Sequence, residues 1–417
     1  MLRTVLFFVV LCLLGTGCTV NEVIVADETE LEVAATPVDE SRLLDIGIIE
    51  FAPGIDDKNN PRKTGVYEEI RIAETKYLAY HLKTTLQGTG YWGAVRVIPS
   101  REAFTDIIIS GEIEQSDGEF VEIKMSVDDS AGRHWFSKTY ETQTGVTSYS
   151  DRRDRRLDPY QKIFNEMAND VQDHAELMPQ KELLQTRQIS ELQFFADMSP
   201  LAYGEHLSLD EEGVVKIDRL PAENDPTVAR LRQIRERDRF VVDTLNEHYA
   251  NFYYGISIPY RNWRKVSRQE SINYRQVKSS ARMQTLIGVV VLAGSLAVDT
   301  QNSSSSRTRR TNAALQNLAI SEGINRIIGG MQRGTEAEGH KSAIAELSDS
   351  FGAQAAPMVI NVEGEERRLT GTAAAQYEDW RRLLKEIYQA ETGFTETVEV
   401  GSRSRATESA NENAAAN

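Results

Sequence analysis

The sequence predicts an α+β fold, in which one sheet packs against helices and a largely helical region follows. Residues 44–175 alternate between strand-like and helical spacing of apolar residues, in the order β-α-β-β-β-α. Residues 176–275 carry mainly helical spacing. The full chain of 417 residues is long enough for two or three domains, so both regions fit within it.

The first half of the predicted sheet domain is a strand, a helix and a second strand. The strand at 45–51 is short and almost wholly apolar. The helix predicted over 66–87 has apolar residues three and four positions apart, and Gly88 and Gly90 end it. The second strand begins at Val95.

A meander of three antiparallel strands is predicted next, at 107–113, 121–127 and 133–141. Asp117-Gly118 is a typical hairpin turn between the first two strands. Gly132 ends the second turn, where a residue with positive φ is needed. These turns predict that the three strands are neighbours in the sheet.

Helices complete the predicted architecture. One begins near Pro159, and a longer one begins at Asp225-Pro226, a favourable cap followed by proline in the first turn. Arginines and acids interleave over 230–239, which is typical of a solvated face with internal ion pairs, although contacts with peptidoglycan carboxylates or lipid phosphates stay open. In the C-terminal region, 346–395, a strand pair about Glu363-Gly364 precedes an amphipathic helix near Tyr377–Tyr388.

The N-terminus has the features of an export signal. Arg3 precedes the apolar run Val5–Leu14, which is too short to span a bilayer as a helix, and small residues lead to Cys18. The segment resembles a lipoprotein signal peptide, except that Gly15 stands where Leu, Val or Ile is expected. We therefore predict that residues 1–17 are removed and that Cys18 is lipidated. Cleavage without lipidation and an uncleaved anchor are the alternatives.

Two terminal segments are predicted to lack stable structure. Residues 18–43 are acidic and poor in aromatics, which is typical of a flexible linker, and 396–417 have the composition of a disordered tail.

The residue after Cys18 is Thr19 rather than Asp. The resemblance to Gram-negative lipoproteins then implies sorting to the outer membrane. The predicted location is the periplasm-facing outer membrane, with the protein held there by its lipid.

The overall charge and the cysteine positions exclude several classes of protein. Asp and Glu number 63 against 47 Lys and Arg, giving a formal net charge of −16, so binding to nucleic acid is not expected. Both cysteines lie in the first 18 residues, so the body of the chain has no disulfide framework.

No motif for catalysis, metal binding or cofactor binding is present in the sequence. The six histidines are far apart, without a His-Glu-x-x-His pattern, and no nucleophile elbow or glycine-rich phosphate loop occurs. We therefore predict no catalytic, metal-binding or cofactor-binding residue and no enzyme. The convergence of a histidine and an acid in one cleft would argue against this expectation.

The region 276–345 is rich in Gly, Ser and Ala and begins with the uncharged segment 283–298. Three interpretations of that segment are open. It is a buried helix or strand pair, a membrane-contacting or pore-lining element, or a contact between subunits in which Gly288 and Gly294 permit close approach. At 16 residues it is short for a spanning helix.

Residues 44–175 resemble the periplasmic domain shared by the curli-secretion-channel lipoprotein, the lipoprotein activators of peptidoglycan synthases, and the N-terminal domain of the Tol-system translocation protein. The likeness rests on the strand at 46–51 with its following helix, on Thr105–Ile113, and on the hairpin Asp128–Trp135. It covers about a third of the chain. It implies a domain that binds and oligomerises and has no catalytic centre.

The predicted function is a lipid-anchored envelope scaffold or assembly factor that acts by protein–protein binding in the periplasm. The alternative is a component of an oligomeric outer-membrane secretion channel of the curli-channel type. Expected partners are envelope proteins, the membrane through the lipid, a second copy of the chain and peptidoglycan, but not nucleic acid. An enzyme acting on peptidoglycan is a third hypothesis.

Overall fold

The computed structural model describes part of the 417-residue chain, and for 273–295, 358–362 and 365–366 it describes the backbone alone. The described ranges are 29–55, 67–145, 147–150, 157–295, 358–362 and 365–392.

One five-stranded mixed sheet forms the centre of the fold. Its strand order is β2-β1-β3-β4-β5, with β1 parallel to both of its neighbours and β3, β4 and β5 antiparallel. The strands are β1 (Ile46–Ile49), β2 (Val95–Ile98), β3 (Ile107–Ser116), β4 (Phe120–Asp129) and β5 (His134–Gln143).

Helices and two small hairpins follow the sheet, and the predicted α+β fold is confirmed. The helices are α1 (Glu68–Thr89), α2 (Gln161–Leu177), α3 (Gln180–Met198), α4 (Pro200–Tyr203), α5 (Pro226–Ser295) and α6 (Ala373–Thr392). The hairpins pair β6 (Leu207–Leu209) with β7 (Val215–Ile217), and β8 (Met358–Val362) with β9 (Glu365–Leu369).

The sheet has one covered face and one open face. Along β4, Ile123 and Met125 are fully buried, and their face joins α1 and α2 in the main apolar core. The intervening residues Lys124 and Ser126 are on the opposite face, where Lys124 is exposed. This alternation is the period of two expected for a sheet with one face in solvent.

Both turns of the meander have the predicted geometry. Gly118 has a φ of +85° and Gly132 a φ of +83°, values that favour glycine because it lacks a Cβ. The Asp117 carboxylate accepts the backbone N–H groups of Glu119 and Phe120 at 2.9 and 2.7 Å. The Asp117 side chain and the positive φ of Gly118 thus stabilise the first turn.

The helix α5 begins where the sequence predicts and is much longer than expected. Asp225 accepts the N–H of Thr227 at 2.8 Å, so it caps the helix as proposed. The 70 residues span about 105 Å at 1.5 Å per residue.

Residues 283–295 of the apolar segment belong to this helix, so their helical backbone excludes a strand pair there, while 296–298 lie outside the described residues. In the described part of the chain, no helix is both long enough and apolar enough to cross a membrane.

The region 176–275 is not helical throughout, because the β6–β7 hairpin interrupts it. A turn closed by Gly213, with a φ of +82°, joins these two three-residue strands. Such short strands carry too little periodicity to be recognised from the sequence.

The predicted linker 18–43 is partly wrong, since its second half lies on the folded body. Asn165 donates to the carbonyl of Thr29 at 2.7 Å, and Ala34 donates to the carbonyl of Thr89 at 2.8 Å. Arg187 donates to the carbonyl of Glu40 at 2.8 Å. Hydrogen bonds to the backbone of this segment, two of them from side chains, hold it in place, and the low apolar content of the sequence does not reveal them.

Candidate functional site

The two edges of the sheet differ in how their backbone groups are satisfied. At the β2 edge, the Asn246 side chain accepts the N–H of Val97 at 2.8 Å and donates to its carbonyl at 2.9 Å. Beside it, Arg96 forms an ion pair with Asp243 at 2.6 Å. The helix α5 thereby caps the backbone groups of Val97 on this edge and blocks the approach of a further strand there.

The β5 edge is ten residues long, and no strand pairs with its outer side among the described residues. The N–H of Thr144 donates to the carbonyl of Glu119 at 2.7 Å. This bond shows which residues of β5 direct their backbone groups toward β4 and which direct them away. Because antiparallel strands alternate their bonding direction, every second β5 residue directs its N–H and C=O away from β4. These residues are Ser137, Thr139, Glu141 and Gln143.

A β-bulge lies at the start of this edge strand. The register of β4 with β5 shifts by one residue, so that Asp128 pairs with His134 and Trp135 has no partner. Residues three apart on a regular strand point to opposite faces. The bulge brings the side chains of His134 and Ser137 to the same, open face.

Four side chains on this face form a continuous hydrogen-bond chain. His134 Nδ1 lies 2.8 Å from Asp128 Oδ1, and His134 Nε2 lies 3.0 Å from Ser137 Oγ. Ser137 Oγ lies 2.7 Å from Ser126 Oγ. A carboxylate only accepts hydrogen bonds, so in the neutral ring Nδ1 carries the hydrogen and Nε2 accepts the Ser137 hydroxyl.

In the part of the chain that the structure describes, the hydrogen-bond chain lies on an open surface and not in a cleft. The His134 side chain is 52% exposed and the Arg101 side chain, 3.4 Å from Asp128, is 54% exposed. A histidine and an acid therefore converge, but without the enclosure that most active sites provide. The sequence did not identify this group, because only the bulge aligns its members.

Another histidine has a packing role. His81 is buried, with its ring nitrogens 2.7 Å from Tyr253 Oη and 2.9 Å from Gln161 Oε1. Burial lowers the pKa of His81 below its ordinary value, and the nearby Asp158 opposes this shift only in part. His174 stacks on the Trp135 ring, whereas His340 lies outside the described residues.

A buried ion pair fastens α5 to the sheet domain. Arg264 is fully buried and donates to both carboxylate oxygens of Asp158, at 2.8 and 2.7 Å. Its guanidinium also lies over the rings of Tyr260 and Tyr160, 4.2 and 4.6 Å from their centroids. Burial alone would raise the pKa of Asp158, but the Arg264 charge and hydrogen bonds outweigh burial and hold that pKa well below its usual range.

A second buried carboxylate fastens α6 to α5. Asp238 accepts the Tyr377 hydroxyl at 3.1 Å and the Trp380 indole N–H at 3.0 Å, with Arg381 beside it. The interleaved charges of 230–239 are thus only partly a solvated face. The exposed arginine Arg232 forms the kind of surface ion pair expected there, but Asp238 is buried.

A cavity of about 540 Å³ lies beside the β6–β7 hairpin, at the start of α5. Its volume is within the range of small-ligand sites. Asp225 in its lining is already engaged as the helix cap and by the Tyr203 hydroxyl at 3.0 Å. The cavity therefore offers mainly apolar walls, which include Met198, Leu201, Leu220 and Pro221.

The sequence-predicted lipidation site, Cys18, lies outside the described residues. In the described ranges, no group of three or more His, Cys, Asp or Glu side chains is arranged to hold a metal ion. Comparison with protein-family models, curated proteins and solved structures found no match for this chain.

Proposed function

We propose that this protein is a lipid-anchored envelope scaffold that binds other proteins in the periplasm, and that the edge of β5 is its binding surface. The observation that supports the proposal is the asymmetry of the sheet. Asn246 closes the β2 edge with two backbone-directed hydrogen bonds, whereas no strand covers the ten residues of β5 in the described structure.

An open edge favours the addition of an extended segment from a partner. Main-chain hydrogen bonds to alternate residues supply affinity, and side chains on the two faces supply specificity. The side chains of Ser137 and Thr139 are small enough to leave the outward backbone groups accessible. A long uncovered edge is otherwise an aggregation hazard, so a specific partner gives it a physical rationale.

The proposed anchor restricts where this surface can act. Ten residues lie between Cys18 and Thr29, which is the first described residue and is held on the body. A fully extended chain of that length reaches about 40 Å. A lipid on Cys18 would therefore keep the binding edge close to the membrane surface.

A proline substitution with a matched side-chain control tests the binding surface. Thr139→Pro removes an outward N–H without removing a bond to β4, whereas Thr139→Val keeps the backbone donor. The photoreactive residue p-benzoylphenylalanine is placed at position 141, in the place of Glu141, in cells that make the protein. We expect a discrete crosslinked adduct when residue 139 is Thr or Val, and no adduct when it is Pro. The same photoreactive residue at the exposed Glu247 of α5 is the positional control.

Persistence of the adduct in the Thr139→Pro variant would contradict binding through the β5 edge. Mass spectrometry of the N-terminal peptide tests the anchor separately, since an unmodified thiol at Cys18 would exclude the lipid. Conductance of the purified protein across a planar bilayer would favour the secretion channel over the scaffold.

A further inference from the structure

The hydrogen-bond chain on the open face has the connectivity of a nucleophile, a base and an orienting acid. The Ser137–His134 link, at 3.0 Å, is within the range in which a base accepts a proton from a hydroxyl, and the 2.8 Å link to Asp128 orients the base. From this geometry we propose that Ser137 is a nucleophile for acyl transfer, that His134 is its general base, and that small carboxylic esters are the substrates. The proposal does not rest on the scaffold function, although both use the outward N–H of Ser137.

Neighbouring groups fix the direction of proton transfer. Asp128 accepts from His134 Nδ1 through Oδ1, while its Oδ2 forms an ion pair with Arg101. With Nε2 accepting the Ser137 hydroxyl, the remaining lone pairs of Ser137 Oγ face Ser126, which donates at 2.7 Å. Asp128 and Ser126 are positioning residues, because they act through His134 and Ser137.

The backbone of the nucleophile supplies one donor for a developing oxyanion. Ser137 directs its N–H away from β4, at the sheet edge, and this donor is not used in the ladder. Removing one donor from a two-donor oxyanion hole costs about 10²–10³ in rate. We therefore assign esters with good leaving groups as substrates rather than amides.

The reaction needs only the ester and water. Ser137 Oγ bonds to the carbonyl carbon while its proton moves to His134 Nε2, and the C–O bond to the leaving group breaks as that group takes the proton. Water then bonds to the carbonyl carbon of the acyl-serine while His134 accepts a proton from it. The bond between that carbon and Ser137 Oγ breaks, and the proton passes from His134 to Ser137 Oγ. The products are a carboxylic acid and an alcohol, with a free serine.

Labelling by a fluorophosphonate, with peptide mapping, tests the assignment on the full chain. We expect one label per chain, on Ser137, together with a burst of nitrophenol from p-nitrophenyl acetate. Ser137→Ala abolishes both signals, and His134→Ala lowers the labelling rate at least about 100-fold. Asp128→Asn gives a smaller decrease, since it disturbs only the orientation of the ring.

Thr139→Val is the matched control, because it removes an exposed hydroxyl from the same strand that does not belong to the hydrogen-bond chain. We expect Ser137 to label in this variant within about threefold of the unchanged rate. Label on another residue, no label at all, or equal rates with and without His134 would each overturn the proposal. Thr139→Pro separates the two proposals, since it abolishes the crosslinked adduct of the scaffold but retains the side chains required here.

Discussion

The substitution Arg264→Met tests whether the buried ion pair holds α5 on the sheet domain. Methionine keeps the apolar stem but removes the two hydrogen bonds to Asp158 and the charge over Tyr260 and Tyr160. It leaves a carboxylate with a side chain only 5% exposed and without its cation. Breaking one side of a buried pair costs about 3–5 kcal/mol.

The lower end of that range is expected here, because Asp158 keeps two other hydrogen bonds. It still accepts the Tyr77 hydroxyl at 3.0 Å and the N–H of Tyr160 at 2.9 Å. Arg264→Met should therefore lower the free energy of unfolding by about 3 kcal/mol. With a slope of roughly 3 kcal/mol per molar urea, the midpoint moves by about 1 M.

Urea unfolding followed by far-UV circular dichroism measures this loss. Asp158→Asn in the Arg264→Met background should recover part of this loss, because the unpaired charge is then gone.

The ion pair between Arg264 and Asp158 also makes the stability of the fold depend on pH. The folded-state pKa of Asp158 lies below its unfolded value, so the pair stabilises the fold above about pH 4 and less as the pH falls through the folded-state pKa. A loss under 1 kcal/mol for Arg264→Met at pH 7 would refute this account.

Three further predictions concern other parts of the fold. The lowered pKa of buried His81 means that the unfolded chain binds a proton more readily, so stability should fall from pH 7 to about pH 5, and His81→Gln should flatten that slope in urea titrations. Asn246→Ala should cost about 1–3 kcal/mol and speed hydrogen exchange at the Val97 amide, and unchanged exchange would contradict the edge closure. Gly118→Ala should destabilise far more than Gly213→Ala by thermal unfolding. Both glycines have positive φ, but an added Cβ at Gly118 would lie 2.3 Å from a backbone oxygen of α5, whereas Gly213 has open space; equal losses would refute the steric argument.

Local features of the chain were sufficient to predict most elements. The alternation along 121–127, the turn glycines Gly118 and Gly132, and the cap at Asp225 each act within a few residues, so their effect is visible in the sequence. The strand pair and helix after Pro357 were predicted for the same reason and are observed.

The candidate site depended on contacts between distant residues. Only the β4–β5 register aligns His134 with Ser137 and Asp128 in one hydrogen-bond chain, because the bulge at Trp135 reverses the expected facing. The bulge is a property of the paired strands and not of either strand alone.

The sequence by itself determined the order of strands and helices in the sheet domain, the turns of its meander and the acidic charge of this protein. The tertiary structure decided which sheet edge is closed, and which charges in a polar helix are buried. Asn246 and Asp238 have ordinary surface-type side chains, and they acquire their roles only where α5 meets β2 and α6. The physical reason is that burial and hydrogen-bond pairing depend on what packs against a residue, whereas periodicity and turn preference depend on its neighbours in the chain.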